Sequence, residues 1–231
     1  MSYLFLISLF GLFNLVGGHR TTRLGESRLP RTGGAVLAVN HASYVDFGYI
    51  GGAIYRTDKR QLRILAKAEL AKNPFLRFLM RGCGVIPVDR AVGHAAYLAA
   101  VEQLEAGEIV AVYPEATISL SLEIKELKSG AARMAIEAGV PIIPAIVWGS
   151  QRIAPKGAPR QLGRTKTPVM VATGDPIAPL GSVDDLTATL ADAMTALLRQ
   201  VQDAYGPHPA GEPWVPARLG GSAPTPEAAD G

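Results

Sequence analysis

His41 and Asp46 stand five residues apart in Val39-Asn40-His41-Ala42-Ser43-Tyr44-Val45-Asp46, directly behind the apolar run Ala35 to Val39. An imidazole oriented by a carboxylate can take a proton from a hydroxyl near neutral pH. Five residues of ideal α-helix turn through about 500°, which puts two such side chains on different faces. The pair meets more readily if His41 occupies the turn leaving a strand and Asp46 lies on the helix that follows. Ser43 is then the expected N-cap of that helix. His-x4-Asp also arises often by chance, so its meaning depends on what accompanies it.

Three other segments carry residues of a suitable kind. Gly82-Cys83-Gly84-Val85-Ile86-Pro87-Val88-Asp89-Arg90 reads as a strand ending in an arginine. A guanidinium there can clamp a phosphate with paired hydrogen bonds, although Asp89 and Arg90 could equally form a surface ion pair. Val112-Tyr113-Pro114-Glu115-Ala116-Thr117-Ile118-Ser119 puts a carboxylate just past another strand, where a proline fixes the turn. Val140-Pro141-Ile142-Ile143-Pro144-Ala145 reads as a buried strand with restricted ends.

The elements that must position these residues alternate between two periodicities. Strands are predicted at 35–39, 62–66, 84–88, 109–113, 142–147 and 169–173. Helices are predicted at about 44–55, 68–80, 92–106, 126–138 and 182–205. Such alternation predicts an α/β fold: a single domain, residues 19–205, with a mostly parallel central sheet flanked by helices. At 231 residues the chain is long enough for one sizeable core. The last helix has a clear start, with Ser182 before Asp184 and Asp185. Residues 68–81 mix apolar and cationic side chains, and read either as a core helix with a basic edge or as a surface resting on lipid.

Composition narrows the function classes. The net charge of +3 suits an anionic surface or phosphorylated substrates and is too small to argue for nucleic acid. One cysteine, Cys83, precludes an intrachain disulfide and a cysteine-based zinc site. The four histidines (19, 41, 94 and 208) show no paired ligand spacing, so no metal is expected. Residues 1–18 predict an apolar N-terminal helix, since Tyr3 to Val16 is apolar but for Ser8, Asn14 and a glycine. It is short for a membrane span and compatible with lying in the interface. No cation precedes it, whereas Arg20, Arg23, Arg28 and Arg31 follow, so a signal peptide is not expected and the cytoplasmic face of the membrane is. Gly206 to Gly231, with six prolines and five glycines, reads as a disordered tail, although Trp214 and Val215 offer docking points.

Taken together, in order and spacing, the four motif segments resemble the glycerolipid acyltransferase family typified by 1-acylglycerol-3-phosphate acyltransferase. Its blocks are Asn-His-x4-Asp, a Gly-x-Ile-x-x-Asp-Arg-like strand, Phe-Pro-Glu-Gly-Thr-Arg-Ser and Val-Pro-Ile-x-Pro. Here they correspond to Asn40 to Asp46, Gly84 to Arg90, Tyr113 to Ser119 and Val140 to Pro144. The resemblance implies transfer of an acyl group from acyl-CoA, or acyl-carrier protein, to a lysophospholipid hydroxyl, with no other cofactor. It implies that His41 is the general base, Asp46 its orienting carboxylate, and that backbone N–H groups after His41 steady the oxyanion. It assigns Arg90 to the acceptor phosphate, and Glu115, Ala116 and Thr117 to the acceptor site. Asn40, Ser43, Lys67 and Lys128 are further substrate-binding candidates, Lys128 because Leu127-Lys128-Ser129-Gly130 echoes a family Phe-Lys-x-Gly. Membrane lipids are the expected partners.

Two positions depart from the pattern. Ile118 replaces an arginine and cannot bind phosphate, and Ala116 replaces a glycine. Arg90, Lys128 and Arg133 are the cations left to compensate. These changes leave a phosphatidic-acid-forming enzyme as the leading expectation. Another lysophospholipid or a phosphatidylinositol mannoside as acceptor stays open, as does a non-catalytic lipid-binding protein.

Overall fold

The computed structural model of the chain describes residues 2–67, 69, 72–74, 77, 80, 85–88 and 93–229. Seven strands form one sheet: β1 (Arg20–Leu24), β2 (Ala35–Val39), β3 (Leu62–Lys67), β4 (Ile86–Val88), β5 (Ile109–Val112), β6 (Ile142–Trp148) and β7 (Pro168–Thr173). Their order is β1-β7-β6-β2-β5-β3-β4. All neighbours run parallel except β6 and β7. Every residue of β2 is buried, the continuous apolar run required of a parallel strand covered on both faces.

Period-two alternation divides the core into two layers. Ala35, Leu37 and Val39 face α1 (Ser2–Gly17) and α2 (Asp46–Asp58). Val36 and Ala38 face α3 (Gly93–Glu105), α4 (Gly130–Ala138) and α5 (Val183–Tyr205). The result is a three-layer α/β sandwich. The strands β2, β5 and β6 end along one edge, where the crevice outside the strands' carboxyl ends is the usual ligand position in such folds.

Two segments differ from the sequence reading. Strand β1 was not expected, because Arg20-Thr21-Thr22-Arg23-Leu24 lacks an apolar run; it is held at the sheet edge by pairing with β7. Residues 206–229 do not form a loose tail. Val215 is fully buried, the Arg152 guanidinium lies 4.3 Å from the Trp214 ring centre, and Arg218 bonds Glu123 at 2.7 Å. Prolines lower the entropy lost on ordering a segment, so a few anchors suffice to hold it down. The helix expected at 68–80 lies largely outside the described residues.

Helix α1 packs on α2 through Phe10, whose ring meets Tyr49 edge-on at 4.9 Å and occupies the space a side chain at Gly48 would need. Tyr3 is buried against Tyr55. The other side of α1 exposes Leu4, Phe5, Leu9, Leu12, Leu15 and Val16. Among the described residues no helix is long and apolar enough to cross a membrane.

Candidate active site

The turn between β2 and α2 is built around one buried carboxylate. Asp46 is the first residue of α2 and is fully buried. Its Oδ2 accepts from the backbone N–H groups of Ala42 (2.9 Å) and Ser43 (2.8 Å) and lies 3.1 Å from His41 Nδ1. Its Oδ1 accepts from the Ser150 hydroxyl at 2.5 Å. Burying a carboxylate is tolerable only when its oxygens are hydrogen-bonded, and four donors converge here.

Because Nδ1 donates to this carboxylate, the imidazole lone pair lies on Nε2. The His41 side chain is 21% exposed, so the ring is not sealed inside the protein. The ring stacks on Tyr113, centroid to centroid at 4.1 Å. The Tyr113 hydroxyl titrates well above its usual range, chiefly from burial and further from the Asp46 charge.

The loop after β5 braces the turn from the neighbouring strand. Glu115 is buried; its Oε1 accepts the His41 N–H at 2.8 Å and its Oε2 the Lys125 N–H at 3.2 Å. Burial pushes the Glu115 carboxyl up to about 7, against the opposing pull of those two N–H groups. In return the Ser119 N–H donates to the His41 carbonyl at 2.7 Å.

Several residues expected at the substrate are committed elsewhere. Asn40 is buried; its amide donates to the Val147 carbonyl (3.2 Å) and accepts the Val147 N–H (2.7 Å), carrying the β2–β6 ladder past the end of β2. Ser43 is buried and donates to the Ala154 carbonyl at 2.9 Å. It is not the N-cap either: that position is Val45, without a side-chain cap, because Asp46 already accepts the neighbouring N–H groups. The Lys128 ammonium is exposed, 3.9 Å from Glu126, while its backbone holds Pro114.

The N–H groups after His41 are likewise not available for an oxyanion. Those of Ala42 and Ser43 serve Asp46, that of Tyr44 serves the Ala154 carbonyl, and that of Val45 serves Ser43 Oγ. Arg90 and the Lys67 side chain lie outside the described residues.

Ala116 and Thr117 do face solvent, and Ala116 adopts φ +60°, the conformation glycine would take without strain. Ile118 is turned into the protein and buried. The Lys125 ammonium stands 3.4 Å from Thr117 Oγ1, which places a cation beside the exposed residues of this loop. Neither Lys125 nor Ser150 was legible as a site residue, since each lies outside the motif blocks. Among the described residues no cluster of three or more His, Cys, Asp or Glu side chains could hold a metal ion.

Residues 20–148 match the Acyltransferase family model. This chain belongs to the acyltransferase family. It is 30% identical to the 1-acyl-sn-glycerol-3-phosphate acyltransferase of Bacillus subtilis over 60% of this chain and 66% of that one. The probable enzyme of the same name from Mycoplasma pneumoniae is 31% identical over 62% of this chain and 54% of that one. An uncharacterised acyltransferase of Schizosaccharomyces pombe is 30% identical over 88% of this chain and 74% of its own. The chain thus spans slightly less than two thirds of the Bacillus protein and about half of the Mycoplasma one. The crystal structure of the 1-acyl-sn-glycerophosphate acyltransferase PlsC from Thermotoga maritima superposes with a TM-score of 0.72 at 21% identity, covering 87% of this acyltransferase and 79% of that chain. That likeness is one of fold.

Proposed function

We propose that this acyltransferase moves a fatty acyl group from acyl-CoA or acyl-carrier protein to the free hydroxyl of 1-acylglycerol-3-phosphate, forming phosphatidic acid. The observation that carries the proposal is the His41–Asp46 pair at the carboxyl edge of the sheet, with Nδ1 bound to a buried carboxylate. Nε2 of His41 takes the acceptor hydroxyl proton as its oxygen attacks the thioester carbonyl. The tetrahedral intermediate collapses, the C–S bond breaks, and the departing thiolate recovers the proton from the imidazolium. The products are the ester and the free thiol, with no acyl-enzyme.

Purified protein given acyl-CoA and 1-acylglycerol-3-phosphate is expected to release free thiol and yield phosphatidic acid by mass spectrometry. His41→Ala is expected to lower kcat by about 10²–10⁴-fold. Equal thiol release by wild type and His41→Ala would overturn the mechanism.

A second reading keeps the chemistry and changes the acceptor. Ile118, buried where the family pattern has an arginine, favours it. An acceptor panel including other lysophospholipids and a phosphatidylinositol mannoside separates the two. We also place the protein at the cytoplasmic face of a membrane, residues 1–18 resting in one leaflet. The apolar face of α1 and the arginines following it support this arrangement. Co-sedimentation with anionic vesicles, lost on Leu12→Glu with Leu15→Glu, is the expected result.

A further inference from the structure

The hydroxyl of Ser150 reaches the catalytic turn from a different strand and a distant part of the chain. It follows β6, whose last residue is Trp148, and opens a short 3-10 turn, Ser150–Arg152. Gly149 adopts φ +96° to make this turn, and a Cβ there would lie 2.3 Å from the Pro168 carbonyl. The strand-to-turn geometry is therefore confined to glycine, and it aims Ser150 back at Asp46. Ser150 is fully buried.

The turn is braced from behind. Gln151 Oε1 accepts the Gly149 N–H at 2.8 Å, and Arg152 spans Tyr205 and the Trp214 ring. These contacts fix the position of a hydroxyl whose single described partner is Asp46 Oδ1.

We infer that Ser150 is a positioning residue of the acyl-transfer reaction: it completes a Ser150–Asp46–His41 chain of hydrogen bonds that fixes the imidazole in its working orientation. The inference rests on the proposed role of His41. Both Asp46 oxygens are tied: Oδ2 to the turn and to His41, and Oδ1, among the described residues, to Ser150 alone. Without Ser150, Oδ1 is buried with no donor among the described residues, and only the bonds at Oδ2 hold the carboxylate. A pivot about Oδ2 would then tilt its bond to Nδ1 and loosen the imidazole, while Ala116 and Thr117 stay in place. The effect belongs in kcat rather than in KM.

Steady-state kinetics of purified full-length Ser150→Ala and Ser150→Thr, alone and combined with Asp46→Asn, test this. Ser150→Ala is expected to lower kcat about tenfold to hundredfold, the range for losing one hydrogen bond to a charged group, with KM for both substrates within about threefold. Ser150→Thr, which keeps the hydroxyl, is expected to restore most of the rate. In the Asp46→Asn background Ser150→Ala should cost nothing further, because both changes break one chain. If Ser150→Ala does not fold, Ser150→Cys carries the same expectation, since a thiol is a much weaker donor. Wild-type kcat in Ser150→Ala, or an undiminished loss in the Asp46→Asn background, overturns the inference. Wild type without acyl transfer to any acceptor would instead overturn the proposed function itself.

Discussion

The turn after β2 and the loop after β5 enter the same crevice from neighbouring strands, and they use their backbones in opposite ways. In the first, five successive N–H groups from His41 to Val45 are bound to Glu115, Asp46, Ala154 or Ser43. Asp46, at its centre, is fully buried. In the second, Ala116 and Thr117 are exposed, and Ala116 and Leu122 hold positive φ angles of 60° and 61° that favour glycine. A saturated, buried turn keeps the His41–Asp46 pair in register, whereas an open loop can change residues without disturbing it. Under the proposed function, chemistry and acceptor choice lie on separate segments, with Glu115 as the brace between them.

The contrast breaks most decisively at Asp46. Asp46→Asn removes the negative charge and one of two acceptor oxygens from a site where Ala42, Ser43, His41 and Ser150 all donate. It is expected to lower kcat about 10³–10⁴-fold, the scale for neutralising the carboxylate of a His–carboxylate pair. Circular dichroism would establish that the fold survives. Substitutions in the β5 loop should never approach this loss in kcat.

Next in size is Glu115→Gln. With Glu115 pushed up to about 7 in the folded protein and near 4.5 when unfolded, the folded state binds the extra proton between those values. The stabilisation linked to that proton is present in full below about 4.5 and is lost as pH rises through about 7. Thermal denaturation of wild type minus Glu115→Gln, measured from pH 5 to 8, should show this decline. A flat difference would remove Glu115 as the titrating brace. His19 acts with the opposite sign: buried against Tyr49 and Thr165, its imidazole is shifted down, so it costs stability as pH falls below 6.5.

Smaller effects belong to the open loop. Lys125→Met should raise KM for a phosphorylated acceptor about threefold to tenfold and leave kcat nearly unchanged, as expected of a partly exposed cation. A kcat loss matching that of Asp46→Asn would dissolve the distinction between the two segments. Smallest of all, Ala116→Gly relieves the left-handed strain at the cost of unfolded-state entropy. The net gain should be at most about 1 kcal/mol, a rise of about 2–4 °C in Tm.

The limits of sequence reading are visible in the same residues. His41 and Asp46 were legible because their relation is local: a strand, a turn and a helix start fix it within seven residues. Asn40 misled for a physical reason. An asparagine beside a histidine in a motif looks like a substrate ligand, yet pairing with a β6 peptide 107 residues away consumes its amide. The tail misled in another way, since proline and glycine content describes the unfolded chain and not the surface awaiting Trp214 and Val215.

By itself, then, the sequence determined the alternation of strands and helices, the buried parallel character of β2, and the spacing that brings an imidazole to a carboxylate. All of these follow from side-chain periodicity and turn chemistry over a few residues. Only the tertiary structure decided which donors satisfy Asp46 and whether the tail stays with the domain. The sheet order alone brings the end of β6 beside the end of β2, and so sets Ser150 against a carboxylate 104 residues away. Hydrogen bonds made across strands leave no period in the chain.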